Sequence, residues 1–234
     1  MTFRDRLLGT LLRLRPVLEE PGVLIVGSEV PNLLQPNAAS TLVVSQAVDL
    51  AVPVDRVESI KRRLRQVRGL VPSAEEPSVY VPTSSSLIEA NFLGLDPGIR
   101  DASETYVLED PELPLMVFGP LGLLRPGPIV ETEGLRLPMP RPAGLMAEKL
   151  LTDRTGEKGA RDLLVVAGML VTATPVDLDE LIALTHQVSA ESRYAICSGL
   201  TVLSLMEARQ GMPDPTSVRS HVTRLLSRIE EDHG

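Results

Sequence analysis

Apolar residues recur at helical spacing from the start of the chain: Phe3, Leu7, Leu8, Leu11, Leu12 and Leu14 lead up to Pro16. This predicts an amphipathic helix stopped by proline. The run VLIVG (23–27) is short, apolar and closed by glycine, which predicts a buried strand. Residues 28–34 suit a short helix and QPNAAST a loop, after which AVDLAV (47–52) alternates. Val48, Leu50 and Val52 fall on one face of that strand, Ala47, Asp49 and Ala51 on the other. Helical spacing returns over 56–70, with Val57, Ile60, Leu64 and Val67 in one stripe. SVYVP, LIEANFL, LPLMVFG and GPIVETEGLRL then read as strands between proline and glycine turns. Beyond them the 3.6-residue period predicts about four helices, over 141–154, 157–171, 177–187 with 190–209, and 215–231.

Proline divides this pattern. Seventeen of the 20 prolines lie within residues 1–142, and only Pro175, Pro213 and Pro215 lie beyond. Because proline interrupts helices and central strands, the first part should hold short strands and turns, and the second long helices. The expectation is an α+β protein: a mixed sheet with flanking helices over 1–140, then a helical bundle over 141–234, joined near LRLPMPRPAG. A length of 234 residues allows one large domain or two small ones.

Composition narrows the classes. At 43% hydrophobic and 23% charged residues the chain has the make-up of a globular protein, which excludes wholesale disorder and fibrous rods. No apolar run approaches ~18 residues and the N-terminal leucines are interleaved with arginines, so neither a membrane span nor a secretory signal is expected. The single Cys197 can form no internal disulfide, and His186, His221 and His233 lack the spacing of a metal motif. The chain reads as cytoplasmic. Its net charge of −8 argues against a protein that coats nucleic acid over its whole surface, and the scarcity of aromatic residues argues against stacking platforms for single strands.

The candidate chemistry lies in a constellation. Gly27-Ser28 follows an apolar strand, Asp49 sits on the next strand and Glu89 on a later one. A turn of that kind presents backbone N–H groups and a hydroxyl to a polyphosphate, and carboxylates on neighbouring strands can converge on the Mg²⁺ that bridges it. Each residue taken alone also suits an ordinary strand-turn-helix connection or a solvated strand face. Lys149 has two readings as well: a cation near the phosphates, or a lysine snorkelling from an amphipathic helix. Asp162, beside Arg161 in an apolar helix, suits a buried ion-pair partner, and Asp153, Arg154 and Lys158 offer local salt bridges nearby.

In order and wording the chain resembles the nucleotidyltransferase superfold: Gly27 and Ser28, then SQAVDLAV (45–52), then IEANF (88–92). The segment AEKLLTDRTGEKGARDLLVV (147–166) resembles the Lys-Leu…Arg…Lys/Arg-Asp-Leu signature of the AbiEii-like branch, the nucleotidyltransferases of abortive-infection and toxin-antitoxin systems. The likeness covers about 25–166 in motif order. It implies a nucleotidyltransferase-like domain over 1–140 and nucleotide binding through Gly27, Ser28, Ser45 and Lys149. It further implies Mg²⁺ on Asp49 and Glu89, and a catalytic set of Asp49, Lys149 and Asp162. The reaction implied is transfer of NMP from an NTP to an acceptor hydroxyl, in this branch on RNA such as tRNA ends. A cognate antitoxin protein is a further implied partner.

The chain departs from the motif at Ala47, where the family carries the first strand aspartate. Carboxylates at i and i+2 on a strand project from one face roughly 6.5–7 Å apart and can share or flank a metal pair. Ala47 leaves that set incomplete. A naturally degenerate form, an alanine substitution that disables a toxic enzyme, and a shifted motif register all account for it. The alternative function is a catalytically inactive module of the same fold that binds nucleotide or a protein partner. The basic residues of 56–68, Arg56, Lys61, Arg62, Arg63, Arg65 and Arg68 against Glu58, read first as a solvated face and second as a grip for an acceptor strand or acidic partner.

Overall fold

The structure is a computed structural model and describes residues 1–34, 47–99, 101–152, 156–208 and 212–231. The N-terminal stripe forms α1 (Phe3–Arg13), capped by the Thr2 hydroxyl, which accepts from the Asp5 amide over 3.1 Å, while the Thr2 amide donates to Asp5 over 2.7 Å. A short α2 (Arg15–Leu18) carries Pro16 in its first turn, where a missing N–H costs nothing. Then come β1 (Leu24–Ile25), α3 (Val30–Leu34) and β2 (Ala47–Pro53). A 3-10 turn at Val54–Arg56 leads into α4 (Val57–Leu64).

Helix α4 ends before the residue-70 limit that its periodicity predicts. Gly69 takes a left-handed φ of 85°, and β3 (Leu70–Pro72) pairs antiparallel with β4 (Val79–Pro82). Backbone pairing with the next strand overrides the local helical period, although Val57, Ile60, Leu64 and Val67 are all buried as the stripe predicts. Strand β5 (Glu89–Leu95) follows, then β6 (Thr105–Leu108) and β7 (Leu115–Phe118). Neither β3 nor β6 stands out in the sequence pattern, being three and four residues long.

The sheet runs β1-β2-β5-β4-β3, with β7 joining β5 and β6 pairing β7. It is mixed: β1 is antiparallel to β2, whereas β2 and β5 are parallel along their full length. The segment 127–137, which reads as one strand, is a hairpin of β8 (Pro126–Thr132) and β9 (Leu135–Pro140). Glu133 and Gly134 turn it with φ of 48° and 76°, the positive angles a two-residue hairpin turn requires.

The C-terminal helices are α5 (Pro142–Leu151), α6 (Gly156–Thr172), α7 (Pro175–Gln187), α8 (Ala190–Leu205) and α9 (Pro215–Glu231). The break between α7 and α8 is sharp because Ser189 caps α8, its hydroxyl accepting from the Ser192 amide over 3.2 Å. Helix α5 is buried all round from Ala143 to Leu150, which marks it as an interior helix rather than an amphipathic one. The buried side chains from Leu7 to Ile229 form one cluster that draws on both the sheet and these helices. Among the described residues no helix is long and apolar enough to cross a membrane.

Candidate functional site

The parallel pairing of β2 and β5 sets the geometry. Ala47 lies opposite Glu89, and Asp49 opposite Asn91. These four share the half-exposed face, while Val48, Leu50, Ala90 and Phe92 are buried on the other. The Asn91 amide donates to Asp49 Oδ1 over 2.8 Å. Strand β1 reaches the same level, since the Val26 N–H donates to the Asp49 carbonyl over 2.9 Å, and the chain turns away at Gly27-Ser28. Gly27 is buried, Ser28 half-buried. Ser45 lies outside the described residues.

Immediately after the turn, Glu29 is fully buried. A Cβ on Gly27 would run into that carboxylate, so the glycine lets the acid fold back against the backbone. Burial pushes the Glu29 carboxyl up to about 8, and the negative charge of Asp49 adds to the rise. The Glu29 backbone N–H, the positive charge of Lys149 and the Asp49 backbone N–H act in the opposite direction. Glu29 thus stands in the field of both the strand carboxylate and the helix lysine.

Lys149 is buried in α5, which excludes the snorkelling alternative. Its Nζ lies 2.9 Å from Glu148 Oε2 and 3.8 Å from Asp162 Oδ1 of α6. Glu148 also accepts from the Thr152 hydroxyl over 3.2 Å. Lys149 and Asp162 line a cavity of about 950 Å³ whose wall includes Ser103, Ser192, Tyr194 and Val202. Gly27, Ser28, Asp49 and Glu89 do not line it. The anticipated residues therefore form two groups, Asp49 with Glu89 on the sheet face and Lys149 with Asp162 between helices, and Glu29 links them electrostatically.

Three participants are invisible to motif order: Glu29, Asn91 and Glu148. Each leaves a faint trace. Glu29 is the only charged residue among the apolar neighbours of VLIVGSEV, and Asn91 stands two residues from Glu89 on an alternating strand. Glu148 precedes the motif lysine, but a helical neighbour gives no hint that it turns back to pair.

Among the described residues no three His, Cys, Asp or Glu side chains gather closely enough to hold a metal by themselves. The donors on that face are nonetheless hard oxygens, the Asp49 and Glu89 carboxylates and the buried, unpartnered Asn91 carbonyl oxygen. Orphaned hard donors of this kind fit Mg²⁺ and do not suit a soft metal. The chain matches no known protein-family model and no curated protein with significance.

Proposed function

We propose that this chain is a nucleotidyltransferase-like protein of the AbiEii-like kind, which binds NTP with Mg²⁺ and transfers NMP to an acceptor hydroxyl. The observation that carries the reading is the shared face of β2 and β5, where Asp49 and Glu89 project beside the Gly27-Ser28 turn. Gly27 and Ser28 would bind the triphosphate, the backbone N–H groups and hydroxyl donating to its oxygens. Asp49 and Glu89 would hold Mg²⁺, which when bound neutralises phosphate charge and lowers the pKa of an acceptor hydroxyl. Lys149 would supply positive charge from the helical side, and Asp162 would hold that lysine in place. The acceptor in this reading is RNA, such as tRNA ends, the setting is cytoplasmic, and a cognate antitoxin protein is a candidate partner.

One observation favours a second reading, an inactive nucleotide- or partner-binding module. Ala47 stands where Asp49 and Glu89 would gain a third carboxylate, directly opposite Glu89. Incubation with labelled NTPs, Mg²⁺ and total RNA separates the two. Label on RNA supports the enzyme, whereas tight NTP binding without transfer supports the module. Absence of both removes the nucleotidyltransferase reading.

A further inference from the structure

The basic residues of α4 and the turn after it do not act as one face. Lys61 is buried with its Nζ 2.8 Å from Asp110, and Arg65 pairs with Glu112 over 3.0 Å. Arg63 and Arg68 instead line a groove of about 420 Å³, to which the end of α1 and the start of α2 supply Arg13 and Arg15. Four guanidinium groups therefore meet in one concave surface whose wall holds a single acid, Glu19. Two of the four are held in place, Arg15 by Glu19 over 2.8 Å and Arg63 by the buried Glu20 over 3.3 Å. Arg13 and Arg68 have no carboxylate partner among the described residues, and Arg68 donates to the Arg65 carbonyl over 3.1 Å. In a chain of net charge −8, such a concentration of positive charge in a groove is where a polyanion can settle.

We propose that this groove binds the sugar-phosphate backbone of single-stranded RNA. Arg13 and Arg15 come from the α1–α2 side and Arg63 and Arg68 from the α4 side, which suits a strand lying between them. RNA supplies one phosphate per nucleotide, and each can accept both arms of a guanidinium fork. The wall contains no aromatic residue, so it offers charge to the phosphates and no stacking platform to the bases. Binding of that kind positions a strand without reading its sequence. The choice of RNA rests on the nucleotidyl-transfer reading, in which RNA is the acceptor, whereas binding of a polyanion stands on the groove and is tested without nucleotide or metal.

Binding of a fluorescent oligouridylate of about 12 nucleotides to the full chain is followed by anisotropy between about 50 and 200 mM KCl. The expected result is saturable binding whose log K falls linearly with log salt, with a slope of about −2 to −3 for four guanidinium contacts. Arg13→Gln and Arg68→Gln, both on exposed residues, should each weaken binding about threefold to tenfold at the lowest salt and flatten the slope by about 0.7. Arg228→Gln removes the same charge from a pair with Asp179 outside the groove, and should change neither affinity nor slope. No saturable binding by the full chain, or parental affinity and slope in both groove variants, overturns the proposal. Polyglutamate of equal length competing as well as the RNA would assign the groove to an acidic protein partner and overturn it too. Because no NTP is present, failure of RNA labelling and failure of this binding are read separately.

Discussion

Asn91 and Asp49 face each other across two parallel strands in register, and the Asn91 side chain donates to the Asp49 carboxylate over 2.8 Å. The hydrogen bond holds one carboxylate oxygen toward β5 and thereby sets the direction in which Asp49 presents its charge. Charge-assisted bonds of this sort contribute about 1.5–3 kcal/mol. The same face carries Ala47 and Glu89, so a change at any of the four is felt by the others.

That proximity gives the first prediction. Ala47→Asp adds a carboxylate opposite Glu89 and beside Asp49. Without metal the like charges repel, and the variant should melt below the parent chain. Mg²⁺ should raise the Tm of the variant more than that of the parent, because binding to the native state offsets the repulsion. Equal Mg²⁺ responses in the two proteins would mean that position 47 does not face a metal.

Stability should also depend on pH through Glu29. In the unfolded chain this carboxyl releases its proton near 4.5, whereas in the fold it holds it to about 8. Between those values the native state binds the extra proton, so stability is highest below the window and falls as pH rises through it. One proton corresponds to about 1.4 kcal/mol per pH unit at most. Urea denaturation from about pH 5 to 8 should show a downward slope that Glu29→Gln flattens; an unchanged slope in the variant would assign it to other groups.

Lys149 sits among buried carboxylates, and its removal should be costly. In Lys149→Met the Glu148 and Asp162 side chains, 5% and 8% exposed, lose the Lys149 ammonium. Breaking a buried pair from one side costs about 3–5 kcal/mol. A loss below about 1 kcal/mol in urea denaturation would show that the lysine is not needed to balance those acids.

Away from the site, Thr10 fastens α1 to the start of β5. Its buried hydroxyl accepts from the Ile88 amide over 2.9 Å, one residue before Glu89. Thr10→Val keeps the volume and orphans that amide, for an expected loss of about 1–3 kcal/mol. Nucleotide affinity should be unchanged if Thr10 is purely structural, and a parallel fall in affinity would indicate that the hydroxyl also sets the position of Glu89.

Ser28→Ala should behave in the opposite way. The half-buried hydroxyl sits at the proposed phosphate turn and has little core to support. The variant should lose nucleotide affinity with almost no change in Tm. A lowered Tm at constant affinity would identify Ser28 as a structural residue of the turn before α3.

How much of this was legible in the sequence depends on the range of the force involved. The alternation of AVDLAV determined that Ala47 and Asp49 share a face, because side chains on a strand alternate whatever the strand pairs with. The 3.6-residue period likewise marked α1, α4 and the C-terminal helices, and proline density separated strand-rich from helix-rich regions. The α+β class follows from these local rules. Pairing was decided elsewhere: α4 stops at Leu64 because β3 finds β4, and 127–137 folds back because Glu133 and Gly134 accept positive φ. The register that sets Asp49 against Asn91, the burial of Glu29 against Gly27, and the approach of Asp162 to Lys149 from the next helix arise from contacts between residues far apart in the chain or on opposite sides of a turn. Burial and charge proximity are properties of the packed interior.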